Sequence, residues 1–82
     1  MSRKKGTIVY INTQRLMIVV QQPGGFTLAD VFGDELRLGE VLSHEWDADS
    51  GKPAIREGGG RIDVLIHGTW GNLEAARAAC RI

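Results

Sequence analysis

Serine, histidine and glutamate stand side by side at Ser43-His44-Glu45, and these three side chains are the components of a hydrolytic triad. In a triad the histidine must reach both the nucleophile and the carboxylate. Successive side chains of a strand point to opposite faces, so His44 would point away from Ser43 and Glu45. The triplet therefore indicates a polar strand, and we predict that the protein is not an enzyme.

Metal and phosphate sites are also not predicted. His44, His67 and Cys80 match no zinc-ligand spacing. Residues 47–51 resemble the start of a calcium loop but lack the ligands and the glycine that should follow. The glycines at 58–60 lack the Lys-Ser/Thr ending of a phosphate loop. We expect an exposed His44, a packed His67, no metal and no other cofactor.

Size and composition fit a single small domain. The chain has 82 residues, of which 43% are apolar, and a core of this size leaves little room for a walled active site. The apolar run at 16–20 is far shorter than the roughly 18 residues that a membrane span requires. Cys80 is the one cysteine and fits a reducing compartment. We expect a soluble, cytoplasmic protein that binds no membrane.

Charge is balanced overall but unevenly distributed. Ten basic and ten acidic side chains give a formal net charge of zero. Arg3, Lys4, Lys5 and Arg15 are cations in an N-terminal stretch without acids, whereas residues 30–49 carry seven acids and a single basic residue, Arg37. We predict that residues 1–5 form a disordered basic arm, which either contacts phosphates or is simply a solvated tail.

Five strands are predicted from β-branched and aromatic runs that end at turn signals. In the third of them Phe26, Leu28 and Phe32 share one parity, which predicts that they face inward. In the last, Ile62 and Val64 lie on the same face as Ile66. Residues 54–60 contain too many glycines to be assigned to an element. The predicted strands are residues 7–11, 16–20, 26–32, 41–46 and 61–67.

A short helix is predicted over residues 73–80. Asn72 is a suitable N-cap, Glu74 lies in the first turn, and Arg77 lies toward the end, where the helix dipole favours a cation. A helix this short must pack on something, and its narrow apolar stripe would be formed by Leu73, Ala76 and Cys80. Short strands without intervening helices favour a closed barrel, here over residues 6–71, with the helix of 72–82 packed on it.

The order of these features resembles the cold-shock domain, a five-stranded OB-fold that binds single-stranded nucleic acid. Gly6-Thr7-Ile8-Val9-Tyr10-Ile11-Asn12 fills the family's opening frame of a glycine, an aliphatic residue and Trp-Phe-Asn, with Tyr10 in place of the tryptophan. Residues 15–20 correspond to the family's Lys-Gly-Phe-Gly-Phe-Ile but keep only the cation and the aliphatic end. Phe32 is the one ring in the second aromatic motif. The resemblance covers residues 6–67 and implies a five-stranded OB-like barrel, and the helix after Asn72 has no counterpart in a minimal cold-shock domain. The fold we predict is therefore all-β, a five-stranded OB-like barrel with a short C-terminal α-helix.

The resemblance also implies a binding function. Single-stranded RNA or DNA would bind weakly, because each lost aromatic platform removes about 1–3 kcal/mol of base stacking. In this frame the nucleic-acid face carries aliphatic residues that the helix or a second subunit should cover. The implied binding residues are Arg3, Lys4, Lys5, Tyr10, Arg15 and Phe32, and the aliphatic residues are Val9, Ile11, Met17 and Val19.

A second hypothesis needs no nucleic acid. Large amphipathic rings are enriched at protein interfaces, so Trp46 and Trp70 are candidate contacts for a protein partner or for a second copy in a homodimer. The same rings are equally suited to anchor the core. The protein would then be a protein-interaction or regulatory module.

Overall fold

Strands dominate the part of the chain that the structure describes. The computed structural model describes residues 4–14, 16–32, 36–46 and 53–80, without the side chain of Cys80. Six strands and one helix follow one another in these residues: β1 (Lys4–Asn12), β2 (Met17–Gln22), β3 (Gly25–Phe32), β4 (Val41–His44), β5 (Ala54–Arg56), β6 (Arg61–Trp70) and α1 (Leu73–Cys80).

The strands close into a barrel in the order β1-β2-β3-β6-β5-β4, with β4 returning to pair with β1. All six pairings are antiparallel. Two hairpins followed by a strand that returns beside the first is the Greek-key arrangement. In the described residues every strand has a neighbour on both sides, so no strand edge is left open to pair with another chain.

The prediction of a β-barrel with a short C-terminal helix is confirmed, but the predicted number of five strands is wrong. The additional strand, β5, has three residues and pairs with both β4 and β6. The sequence did not predict β5, because this strand is short and glycines follow it. The predicted disordered arm is also wrong at Lys4 and Lys5, which belong to β1 and pair with His44 and Ser43.

The barrel interior is filled by side chains from all six strands and the loops beside them. Trp46 is the largest of them and is 1% exposed. Its indole Nε1 donates a hydrogen bond of 2.8 Å to the carbonyl of Lys4. Gly6 makes room for the ring, because a Cβ there would lie 2.2 Å from Val20 Cγ1 and 3.2 Å from Trp46 Cζ2. The interior cluster comprises Ile8, Ile18, Val20, Ala29, Val31, Leu36, Leu42, Trp46, Ala54, Ile62 and Val64, with Ile11 and Ile66 packed against it.

Strand β3 presents the opposite face from the one predicted. Ala29 and Val31 point into the barrel, whereas Phe26, Leu28 and Phe32 lie on its outer side. Residue parity identifies which side chains share a face but not which face is inside. The small Ala29 suits a narrow barrel, and on the outer side α1 supplies a second apolar layer for Phe26 and Leu28. On β6, Ile62, Val64 and Ile66 share one face, as predicted, and the structure shows that this face points inward.

Helix α1 begins at a well-formed cap. The Asn72 side-chain oxygen accepts a hydrogen bond of 2.8 Å from the Ala75 backbone N–H, as expected for an N-cap. The helix packs against β2, β3 and β6, with Leu73, Ala76 and Ala79 in contact with the sheet. Among the described residues no helix combines the length and apolar character needed to span a bilayer.

Candidate interaction surface

The two histidines are placed opposite to expectation. His44 is 1% exposed and packs edge-on against Trp46, with ring centroids 5.2 Å apart and planes at 74°. His67 is exposed on β6. Ser43 and Glu45 are only half-buried and alternate with the buried His44, so these three residues do not converge. Among the described residues, no group of three or more His, Cys, Asp and Glu side chains could hold a metal ion.

Part of the outer barrel surface is buried beneath α1, and we call it the covered face. Val19 and Leu28 are fully buried there and pack with Ala76 of the helix. Three of the four aliphatic residues that the resemblance assigned to a nucleic-acid face, Val9, Met17 and Val19, therefore belong to a second small core. The covered face comprises Val9, Tyr10, Met17, Val19, Phe26, Leu28 and Trp70, which pack with Leu73, Ala76 and Ala79.

Ile11 is the exception among those aliphatic residues. The register between β1 and β2 shifts between Ile8 and Tyr10, so that Val9 is the extra residue of a β-bulge. A bulge changes the side to which the following residues point. Val9 and Tyr10 consequently both lie toward the helix, while Ile11 packs against the barrel interior.

Tyr10 does not offer a free ring face on the side of the helix. The guanidinium carbon of Arg77 lies 5.0 Å from the centroid of the Tyr10 ring, within the range of a cation–π contact. The Arg77 Nε atom is buried there and has no hydrogen-bond partner. A base stacking on this side of Tyr10 would have to displace Arg77.

Neither tryptophan is an exposed anchor for a partner. Trp46 lies inside the barrel. Trp70 is half-buried in the covered face, where its ring packs over Gly68 of its own strand. Core anchoring is thus the role that the structure gives Trp46, and Trp70 helps to seat the helix.

Beyond the end of α1 the same sheet surface carries exposed apolar side chains. Leu16 is 61% exposed, Phe32 53% and Leu65 42%. Phe32 lies opposite Asp63, and Leu65 lies opposite Asp30, so Phe32 and Leu65 are diagonal neighbours within reach of each other. The Leu16 carbonyl accepts a hydrogen bond of 2.9 Å from the Val31 N–H, so the Leu16 backbone lies next to the residue that precedes Phe32. We call Leu16, Phe32 and Leu65 the bare patch.

Leu16 has an unusual backbone conformation. Its φ is +55°, and among the described residues it is the one non-glycine with positive φ. This left-handed region costs an L-residue with a branched, bulky side chain roughly 1–2 kcal/mol, and glycine or asparagine would adopt it more easily. The chain thus keeps an exposed leucine where a small polar residue would be less strained.

Acidic groups border the bare patch. Asp30 Oδ2 lies 3.0 Å from His67 Nε2, which is an ion pair when His67 is protonated. His67 is the extra residue where the β3–β6 register shifts, and a bulge of this kind re-aims a side chain. Asp63 is directly opposite Phe32. Phe32 and Leu65 therefore each lie opposite an aspartate of the neighbouring strand.

Of the predicted nucleic-acid residues, the four that the structure describes are spread along the barrel instead of forming one cluster. Arg3 and Arg15 lie outside the described residues. Lys5 is exposed at the end of the sheet where the β2–β3 hairpin turns, with its Nζ 3.8 Å from Glu57 Oε1. Phe32 lies at the opposite end of that sheet. Tyr10 lies between them under Arg77, and Lys4 is half-buried in β1.

Two residues of the bare patch were not predicted as site residues. Leu16 was read as the start of a strand, and its turn conformation has no sequence signal. Leu65 did carry one, because it is a large aliphatic residue between Asp63 and His67 on the polar side of an alternating strand. An apolar side chain on the solvent side of such a strand suggests a contact surface.

Comparisons with known proteins return no match for this chain. No protein-family model, no curated protein and no solved structure matches it. Its function is therefore argued from its own residues.

Proposed function

We propose that the protein is a non-enzymatic binding module that contacts a partner polypeptide through the bare patch. The observation that carries this proposal is the exposure of Leu16, Phe32 and Leu65 next to a sheet surface whose apolar residues are buried or partly buried against α1. Contiguous apolar side chains on the surface of a soluble domain often mark a contact site.

Backbone strain at Leu16 supports the same proposal. Strained conformations persist where the surroundings hold them, and they cluster at functional positions. A leucine at φ +55° that is 61% exposed gains little from burial within its own chain. Contact with a partner would give this side chain the burial that the free chain does not.

The bordering charges favour one kind of partner. Asp30 and Asp63 flank the apolar side chains, so a segment that combines apolar and basic side chains is complementary to the patch. A polyanion would meet two carboxylates. The partner we propose is therefore a basic, apolar polypeptide segment.

Weak binding of single-stranded RNA or DNA is the second candidate function, as the cold-shock resemblance implies. The exposed ring of Phe32 supports it, since an accessible aromatic ring can stack on a base. This candidate would use Tyr10 only if Arg77 moved, and it would place the phosphates near Lys4 and Lys5, with Arg3 and Arg15 as further cations.

A backbone-amide NMR titration of the full chain separates the two candidates. The probes are a short peptide of alternating leucine and lysine, a peptide of equal length that alternates leucine and glutamate, and a short single-stranded DNA. We expect the lysine peptide to shift the amides of Phe32, Asp63 and Leu65, and the glutamate peptide to leave them unchanged. Equal responses to both peptides, or shifts caused only by the DNA at Lys5 and Tyr10, would overturn the proposal.

Substitutions locate the contact. Phe32→Ser and Leu65→Ser should each weaken binding of the lysine peptide about tenfold, which corresponds to ~1.4 kcal/mol. Leu38→Ser is the matched control, because Leu38 is 66% exposed but lies outside the patch. Loss of affinity in all three variants would indicate unspecific hydrophobic adsorption instead of a site.

A further inference from the structure

A cleft of about 540 Å³ lies between the loop that precedes β4 and the end of β5. Its volume is in the range of pockets that hold small organic molecules. Elements other than those of the bare patch build it. The residues that line the cleft are Arg37, Leu38, Gly39, Glu40 and Arg56.

Backbone hydrogen bonds hold one wall of the cleft in place. The Gly39 N–H donates to the Ile8 carbonyl at 2.8 Å, and the Ile8 N–H donates to the Glu40 carbonyl at 2.9 Å. The Glu40 N–H closes a turn by donating to the Arg37 carbonyl at 3.1 Å. The loop is thus fixed to β1, and the side chains of Arg37 and Leu38 start from a fixed backbone.

Glu40 orients the arginine on the other wall. Its Oε1 accepts from Arg56 Nε at 2.8 Å and also from Arg56 Nη2. Its Oε2 accepts from the Arg37 backbone N–H at 3.2 Å. Both carboxylate oxygens are therefore engaged, and the charges of Glu40 and Arg56 offset each other.

Arg37 is the uncompensated charge of the cleft. Its side chain is exposed, and it forms no ion pair with a carboxylate in the described ranges. Two arginines against one glutamate leave the lining with a formal charge of +1. The exposed Leu38 adds an apolar surface beside the guanidinium.

We propose that this cleft binds a small organic anion, with its phosphate or carboxylate group on Arg37 and its apolar portion against Leu38. A guanidinium presents donors in a planar fork that matches such oxyanions. Arg56, oriented by Glu40, is the second arginine of the lining. This inference is independent of the bare patch, because it uses different residues and a ligand of opposite charge.

Phenyl phosphate and inorganic phosphate are the probes for the test, titrated into the full chain at low salt and followed by NMR. We expect both to shift the amides of Arg37, Leu38 and Gly39, and phenyl phosphate to bind more tightly. Leu38→Ser should remove the advantage of the phenyl group and leave phosphate binding unchanged.

Charge-changing substitutions test whether the cleft attracts an anion. Arg37→Gln should weaken phenyl phosphate binding about tenfold or more, as expected for a lost charge-assisted contact. Glu40→Gln removes a like charge and should strengthen it roughly two- to fivefold. Arg61→Gln is the matched control, because Arg61 is an exposed arginine of the neighbouring strand that does not line the cleft.

Circular dichroism establishes that each variant is folded before its affinity is interpreted. Equal losses in Arg37→Gln and Arg61→Gln would show unspecific anion attraction and overturn the proposal. Weaker binding in a folded Glu40→Gln variant would also overturn it, because the loss of a negative charge beside the ligand should favour an anion. Amide shifts that cluster at Lys5 instead of at Arg37 would overturn the proposal as well.

Discussion

The covered face and the bare patch belong to one sheet surface, but α1 buries the first and leaves the second exposed. Leu28 on β3 is 3% exposed, whereas Leu65 on the neighbouring β6 is 42% exposed, although both point outward. What differs is the helix, because the eight residues of α1 cover Leu28 and do not bury Leu65. An outward apolar residue of this barrel is therefore structural where α1 covers it, and it is available for contacts where α1 does not.

The small side chains of the helix explain how the covered face closes. Ala76 and Ala79 allow α1 to lie close to the sheet, so that Val19 and Leu28 become fully buried. A helix of this length has little stability of its own in water. Its order therefore depends on the apolar contacts of the covered face.

The largest expected effect comes from placing a charge beneath the helix. Ala76→Asp puts a carboxylate at a site with 0% exposure and should lower the free energy of unfolding by about 3–5 kcal/mol, as expected for an unpaired buried charge. Ala78→Asp is the control on the exposed side of the same helix, with a cost below about 1 kcal/mol. Urea unfolding measures both, and equal costs would mean that α1 does not dock as described.

A pair of leucine truncations tests the two halves of the surface directly. Leu28→Ala should cost about 2–4 kcal/mol of unfolding free energy, since it leaves a cavity in the covered face. Leu65→Ala should change the same quantity by less than about 0.5 kcal/mol. The reverse order in thermal or urea unfolding would remove the distinction between the covered face and the bare patch.

Leu16 offers an effect of the opposite sign. Leu16→Asn should raise the free energy of unfolding by about 1 kcal/mol, because asparagine tolerates the left-handed region better than leucine. The same change should weaken binding of the leucine–lysine peptide. A variant that is less stable than the parent would show that Leu16 contributes packing in the free protein.

The smallest expected effect is the contact between Arg77 and Tyr10. A double-mutant cycle with Arg77→Gln and Tyr10→Leu should give a coupling of about 0.5–1 kcal/mol in the free energy of unfolding. Amide hydrogen exchange in α1 should become faster in each single variant. A coupling near zero would mean that the cation–π geometry adds nothing to helix docking.

Elements with strong local signals were predictable from the sequence. Helix α1 begins and ends where Asn72 and its flanking residues indicated, because a side-chain cap is a local interaction. The common face of Ile62, Val64 and Ile66 on β6 followed from their alternate positions along the strand. These features depend on neighbours in the chain, which a sequence displays.

The rest depended on packing partners that are distant in the chain. The side of β3 that faces inward is decided by α1, which begins 41 residues after Phe32. Bulges at Val9 and His67 changed the faces of the residues around them, and neither has a sequence mark. His44 was expected outside because it is polar, yet it packs on Trp46 in the interior. Leu65 carried a sequence signal of its own, but its place diagonal to Phe32 was recognisable only from the folded chain.

The most direct test is whether Phe32→Ser lowers only peptide affinity and Leu28→Ala lowers only stability. Affinity for the leucine–lysine peptide by calorimetry and unfolding free energy in urea are measured on both variants. The account predicts that Phe32→Ser loses about tenfold in affinity at parental stability, and that Leu28→Ala loses stability but binds as the parent does. Parental affinity in Phe32→Ser, or a parallel fall of both quantities in both variants, would contradict it.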